Sequence, residues 1–312
     1  MPIPKFASPL TILWSLVLCP GLLSQERPEP KSVSQQVEAV ADNDFWLSTD
    51  RYYTTGTFIN YRRQLGRNDS LRTSGTLTLG LEQLLYTPDN IRDSNTATYD
   101  RPYAGFLGVS ASWTGIFEQD IFSVKGLLGV AGPNSGAEEF QNLFHEKGGI
   151  DTPPWTAQID NSFHYNLYAM GGREWYFQDS SKGWSLAFIQ HLALGTKDIY
   201  FQPQMNLFFS KRNYTHRSMA YRQIGPLTDE LFAVLRVGYR FVVHDAMLEG
   251  NFAGDDSVLL VESNTHLFKL SLEGHWRWGK NDITAGYHFT TAEAPTTESH
   301  AYVSLSYARG FN

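Results

Sequence analysis

The chain has 312 residues, a formal net charge of −7, 18% charged and 14% aromatic residues, and one cysteine, Cys19. An acidic balance leaves no basic footprint for nucleic acid, and a single cysteine excludes an internal disulfide. A mean hydropathy of −0.32 excludes a bundle of apolar membrane helices. It does not exclude a membrane barrel, whose alternating strands average to a polar value.

In chain order, Lys5 followed by the apolar stretch Leu10 to Leu18 (LTILWSLVL), with a cleavage boundary at Ser24, predicts a signal peptide over residues 1–24. The stretch is too short to span a bilayer as a helix. Leu18 and Pro20 around Cys19 do not suit lipoprotein processing. Residues 25–41 (QERPEPKSVSQQVEAVA) carry proline and charge without apolar periodicity and read as a disordered lead-in.

Residues 42–312 read as one domain. A period-two pattern runs from about Tyr53 to Phe311, broken by turn signals. Leu77, Leu79, Leu81 and Leu85 alternate with Thr76, Thr78, Gly80 and Glu82. Phe122, Val124, Leu128 and Val130 form another set, blurred by Leu127. Leu235, Val237, Tyr239, Phe241 and Val243 oppose Arg236, Gly238 and Arg240. The strongest case sets Phe268, Leu270, Leu272, Trp276 and Trp278 against Lys269, Ser271, Glu273, His275 and Arg277. Full charges on one face and aromatic ends on the other predict a wet lumen and a lipid-facing wall. The fold class is therefore all-β: an antiparallel transmembrane barrel of roughly twelve strands. The stretch Val258 to Glu262 reads as strand or loop. His164, His191, His266, His275 and His288 read as lumen or rim residues, and Trp276 and Trp278 as wall.

One stretch breaks the alternation. From Ser135 to His145 (SGAEEFQNLFH) helical spacing takes over, predicting a short inserted helix near 135–147. Ser135 with Glu138 matches a capping box, and Gln141 and His145 lie one turn apart on one face. The other polar groups of note are Asp42-Asn43-Asp44, the run beginning Asp50-Arg51, and the run beginning Asp100-Arg101. All belong to strand ends, where a rigid scaffold carries function. Asn43-Asp44 also reads as plain turn chemistry. The two Asp-Arg pairs read equally as loop-tying ion pairs.

The runs NDFWLSTDRYYTTG, YTPDNI, DRPYAGFL and GVAGPNSGAEEFQNLFH, with Trp155 and Gln158 beyond them, resemble the outer-membrane lipid A 3′-O-deacylases. The resemblance is dense from Asn43 to about Gln158 and architectural afterwards. It implies a twelve-stranded, calcium-dependent barrel that removes the 3′-linked acyloxyacyl chain of lipid A. On this resemblance His145 is the general base, Gln141 positions base or substrate, and Thr54 matches a further active-site position. Asn43 and Asp44 hold Ca2+ or the oxyanion region, and Asp151, the acidic residue after the histidine, is a further candidate metal ligand. Arg92, Arg101 and Asp100 are the candidates for substrate binding. The loop after Tyr86-Thr87-Pro88 departs from the family, with Asp93 and Ser94 where basic residues are usual. Arg92 stands nearest to replace them, and Arg62, Arg63, Arg67 and Arg72 are further sources of positive charge.

An imidazole ordinarily titrates near neutrality, which suits proton abstraction, and a hard cation stabilises the charge that ester hydrolysis develops. The expected partners are lipid A or lipopolysaccharide and the outer membrane, with the site toward the outer leaflet and the chain a monomer. Two other functions fit a barrel: an outer-membrane phospholipase, for which Ser162 and His164 lack the surrounding motif, and a non-enzymatic pore or binding barrel.

Overall fold

The computed structural model describes residues 32–177, 183–224 and 228–312; the expected signal peptide lies outside them. Among the described residues twelve antiparallel strands close into one barrel. They are β1 (Gln35–Asn43), β2 (Tyr52–Asn68), β3 (Thr73–Thr87), β4 (Ala104–Phe117), β5 (Asp120–Ala131) and β6 (Ser162–Tyr176), then β7 (Ser185–Gly195), β8 (Asp198–Lys211), β9 (Glu230–Asp245), β10 (His266–Trp278), β11 (Asn281–Thr290) and β12 (His300–Phe311). Each strand pairs with its sequence neighbours, and β1 closes the ring by pairing with β12 from Gln35↔Phe311 to Asn43↔Val303. We call the rim at the ends of β1, β3 and β5 the upper rim.

The alternation read from the sequence sets the two faces. Phe268, Leu272 and Trp276 on β10 are exposed on the outer wall, while His275 and Arg277 are buried in the lumen. Leu127, which blurs the β5 pattern, is a buried lumen residue packed with Phe106 and Leu84. The lumen charges are paired across strands: Arg236 with Glu273, Lys125 with Glu82, and Arg277 with Asp282 at 2.7 Å. Such pairing offsets the cost of removing charge from bulk water.

One expectation is corrected. Residues 25–41 do not form a disordered lead-in throughout, because β1 starts at Gln35. Its outward residues include Ala39 and Ala41, whose side chains are too small to print an apolar stripe on the sequence. Residues 258–262, read as strand or loop, are loop.

Both mouths are filled. At the lower rim, Gln223 accepts from Thr76 Oγ1 on β3, and its carbonyl accepts from Arg277 on β10. Tyr221 donates to Glu174 on β6, and Ser218 donates to Glu230 on β9. Bonds from four parts of the circumference thus hold one segment across the opening. At the upper rim a short helix α2 (Ala246–Glu249) buries Ala246 and Met247 against Leu84, Phe106 and Ile159. The barrel is a packed scaffold at both ends.

Candidate active site

The loop between β5 and β6 carries helix α1 (Ala137–Gly148), and this helix lies outside the barrel. Odd-numbered residues of β3 face outward, with Leu79 and Leu81 exposed on the wall. The same face continues upward to Gln83, which donates to the Ser135 carbonyl, and to Leu85, which packs with Tyr103, Ala137 and Trp155. On β4, Gly105 pairs with Leu85, and a Cβ there would collide with Ser135 and Ala137. Glycine is what lets the helix seat against the wall.

The expected capping box does not form. The N-cap is Gly136, and Ser135 donates instead to the Gly132 carbonyl at 2.6 Å, closing the turn Pro133–Ser135. The other end is sharply defined. Gly149 adopts φ +65°, its N–H reaches the Glu146 carbonyl, and the Ile150 N–H reaches the His145 carbonyl at 2.9 Å. This Schellman ending needs a left-handed residue, which glycine takes without strain. The chain reverses there, bringing the Asp151 carbonyl back to 2.7 Å from His145 Nδ1.

The face of α1 turned to the wall is polar. Ala137, Gln141 and His145 are buried. Gln141 Oε1 accepts from Trp155 Nε1 at 2.8 Å, and Trp155 packs on Tyr103 with ring centroids 5.0 Å apart. Opposite the helix, Asn43 at the end of β1 donates to Thr55 Oγ1 at 3.0 Å. A bulge in the β2–β3 register falls between Tyr53 and Thr55, leaving Thr54 as the extra residue. Bulges of this kind re-aim a side chain. Thr54 Oγ1 lies 2.8 Å from Asp44 Oδ1 and 2.7 Å from Asp50 Oδ1.

Asp50 joins the two sides. Its Oδ1 accepts from Gln141 Nε2 at 3.3 Å, and its Oδ2 lies 3.2 Å from His145 Nε2. The sequence leaves Asp50-Arg51 open between a functional rim group and a loop-tying ion pair. That pair does not form, because Arg51 turns to Asp89 and Glu298. A carboxylate four residues before the Thr54-Thr55 pair was the available signal.

These contacts limit the protonation states. A carbonyl oxygen only accepts, so Nδ1 of His145 must carry a hydrogen to bond Asp151. The other ring nitrogen, Nε2, faces Asp50 Oδ2, a contact that is a hydrogen bond only when a proton lies between them. On the other side, one Thr54 hydroxyl hydrogen faces two carboxylate oxygens. Burial pushes the Asp44 carboxyl up to about 6, with Asp50 adding repulsion; bonds from Arg51 N–H, Thr49 and Thr54 pull the other way. Two carboxylates that share the one Thr54 hydroxyl hydrogen, beside the neutral oxygens of Thr54 and Asn43, are a donor set that suits a hard cation. Among the described residues no group of three or more His, Cys, Asp and Glu side chains is arranged to hold a metal.

The structure therefore gathers His145, Gln141, Asn43, Asp44 and Thr54. Asp151 enters through its backbone carbonyl, while its side chain is exposed. Arg101 is only 1% exposed; its guanidinium lies 4.7 Å from the Tyr86 ring centroid and 3.7 Å from Glu293. Asp100 accepts from the Asp89 N–H, and its carbonyl accepts from Thr296. Both act as ties within the upper rim, whereas Arg92 is exposed there. Arg62 pairs with Glu38 in the lumen and Arg67 pairs with Asp69 at the lower rim, so neither supplies charge to this site. Ser162 does meet His164, at 2.7 Å, but inside the lumen, and His164 Nδ1 has no hydrogen-bond partner to orient it.

The architecture is that of a closed membrane barrel with chain segments held across both mouths and a histidine–carboxylate cluster between helix and outer wall. Residues 10–311 match the family described as "Outer membrane protein LpxR", and the chain belongs to that family of outer-membrane lipid A deacylases. The solved structure of LpxR from Salmonella typhimurium has a TM-score of 0.75 at 18% identity, covering 89% of this chain and all (100%) of that one. The β domain of the Bordetella autotransporter BrkA reaches a TM-score of 0.48 at 9% identity, covering 89% and 99%. No curated protein sequence matches the chain. The resemblance read from the motifs is thereby confirmed.

Proposed function

We propose that the chain removes the 3′-linked acyloxyacyl group of lipid A by histidine general-base hydrolysis, with the upper rim facing the outer leaflet. The observation that carries this reading is the locked ring of His145. The Asp151 carbonyl holds Nδ1–H at 2.7 Å and leaves Nε2 as the nitrogen that exchanges a proton, facing Asp50, which Thr54 links to Asp44.

Nε2 takes a proton from a water that replaces its direct 3.2 Å contact with Asp50, and the water oxygen adds to the ester carbonyl. The resulting imidazolium is stabilised by the Asp50 carboxylate. Collapse of the tetrahedral adduct breaks the bond to the sugar oxygen, which receives the proton back from His145. The released product is the acyloxyacyl acid. Gln141 keeps Asp50 and the helix in register through its bonds to Asp50 and Trp155. Asn43 and Asp44, with Thr54 and Asp50, would hold calcium. When bound there, the ion supplies positive charge against the developing oxyanion.

The test is expression in a deacylase-free Gram-negative host, with and without calcium, followed by mass spectrometry of lipid A. Loss of one whole acyloxyacyl unit, abolished in His145→Ala, is the expected result. Unchanged lipid A with released phospholipid fatty acids would point to a phospholipase. Unchanged lipids with a measurable conductance would point to a pore.

A further inference from the structure

Helix α1 is amphipathic in the reverse sense. Its polar residues Gln141 and His145 are buried against the wall, while Leu143 and Phe144 are exposed, Phe144 to 72%. Ile150, just past the helix, is exposed as well. A helix in water buries its apolar stripe, so an outward apolar face is the arrangement expected where the surroundings are apolar.

A second apolar element stands across the site. The single 3-10 turn Phe45–Leu47 follows Asp44 directly, and all three of its side chains are exposed, Trp46 to 46%. The turn is held rigidly: the Phe45 N–H donates to Asn43 Oδ1 at 2.7 Å and the Leu47 N–H to the Asp44 carbonyl at 2.8 Å. Two lips thus rise from the two sides of the cluster that meet at Asp50. Below the helix, the outer wall of β3 and β4 exposes Leu81 and Val109, and below the turn β12 exposes Leu305. The apolar surface is continuous with the lipid-facing band of the barrel.

We propose that Phe45, Trp46 and Leu47 on one side, and Leu143, Phe144 and Ile150 on the other, form an acyl-chain entrance from the adjoining leaflet to His145. This rests on the esterase reading of the same site and names where the fatty chain lies. The occupant is a lipid acyl chain because the helix lip stands on the wall that faces lipid, and the six residues that form the lips are all apolar and exposed, with Glu139, Glu146 and Lys147 of the helix beside them. The entrance selects for long chains, since each methylene placed between the lips is removed from water.

Two measurements test this. The purified full barrel is reconstituted in lipid A vesicles containing phospholipid with brominated acyl chains, and the Trp46 emission is taken as wild type minus Trp46→Phe. Kinetics compare long-chain lipid A with a short-chain ester for wild type and for the Trp46→Ser, Phe144→Ser double variant. The proposal expects quenching of Trp46 and a rise of about tenfold in the ratio of KM values, long over short chain. Unquenched Trp46 with an unmoved KM ratio would overturn it. An unquenched Trp46 with loss of a dimer in the double variant would overturn it in favour of a second copy on this surface. Quenching in a wild-type protein that hydrolyses no ester would support the entrance and sink the proposed function separately.

Discussion

His145 and Asp50 approach through Nε2 and Oδ2 at 3.2 Å, across the gap between a helix and the barrel wall. Because Nδ1 is committed to the Asp151 carbonyl, Asp50 faces the nitrogen that gains the proton. Asp50→Asn keeps the shape of the side chain and removes the charge that favours the imidazolium. We expect kcat for lipid A to fall about a hundredfold, with Asp50→Glu recovering part of it. Strand content by circular dichroism should be that of wild type. A variant of wild-type rate would show that Asp50 only ties the loop.

The second prediction concerns pH and calcium. Asp44 is raised from an ordinary 3.8 to about 6 by burial. Its folded-state value lies above its unfolded value, so its contribution to stability is present below about 4 and is lost as pH rises through about 6. Calcium binding needs the ionised form and runs in the opposite sense. Calorimetric affinity for calcium should weaken about tenfold between pH 7 and pH 5, and Asp44→Asn should be weak at both. Equal affinity for the wild type at the two pH values would remove Asp44 from the ligand set.

Much of the fold was legible because lumen charge and wall apolarity alternate strongly, as on β10, where Lys269, Glu273 and Arg277 oppose Phe268, Leu272 and Trp276. Strand β1 was not legible, since Ala39 and Ala41 occupy outward positions that elsewhere hold Leu or Val. Within the site, side chains on helical or strand spacing could be read, as Gln141 and His145 were. The Asp151 contribution could not, because a backbone carbonyl leaves no mark in residue type. Asp50 was obscured by its neighbour Arg51, whose true partners lie 38 and 247 positions away in Asp89 and Glu298. Arg101 looked like a surface cation and is buried, because α2 covers it from a distant loop through the Met247 carbonyl.

The third prediction isolates that backbone contribution. Gly149 sits at φ +65°, where an L-residue costs about 1–2 kcal/mol. Gly149→Ala should loosen the reversal that returns the Asp151 carbonyl to His145 Nδ1. The ring then loses its fixed tautomer. We expect kcat to drop about tenfold with thermal unfolding of the barrel unmoved, since the strain is confined to one turn. Gly149→Asn, which tolerates the left-handed region better, should lie between alanine and wild type. Identical rates for all three would show that the carbonyl does not set the tautomer.

The fourth prediction concerns the seat of the helix on the wall. A Cβ at Gly105 would run into Ser135 and Ala137, both directly under the start of α1. The strand pairing of Gly105 with Leu85 is fixed on both sides by the ladder, so the helix must give way rather than the barrel. A shift of about 1 Å in a catalytic group costs on the order of a hundredfold in rate. Gly105→Ala should therefore lower kcat by about that factor while the barrel folds and inserts normally. Ser135→Gly in the same chain removes one of the two colliding side chains and should restore part of the activity. If Gly105→Ala hydrolyses lipid A at the wild-type rate, the helix does not need the wall to place His145. The distance between His145 and Asp50 would then be set by the loop alone.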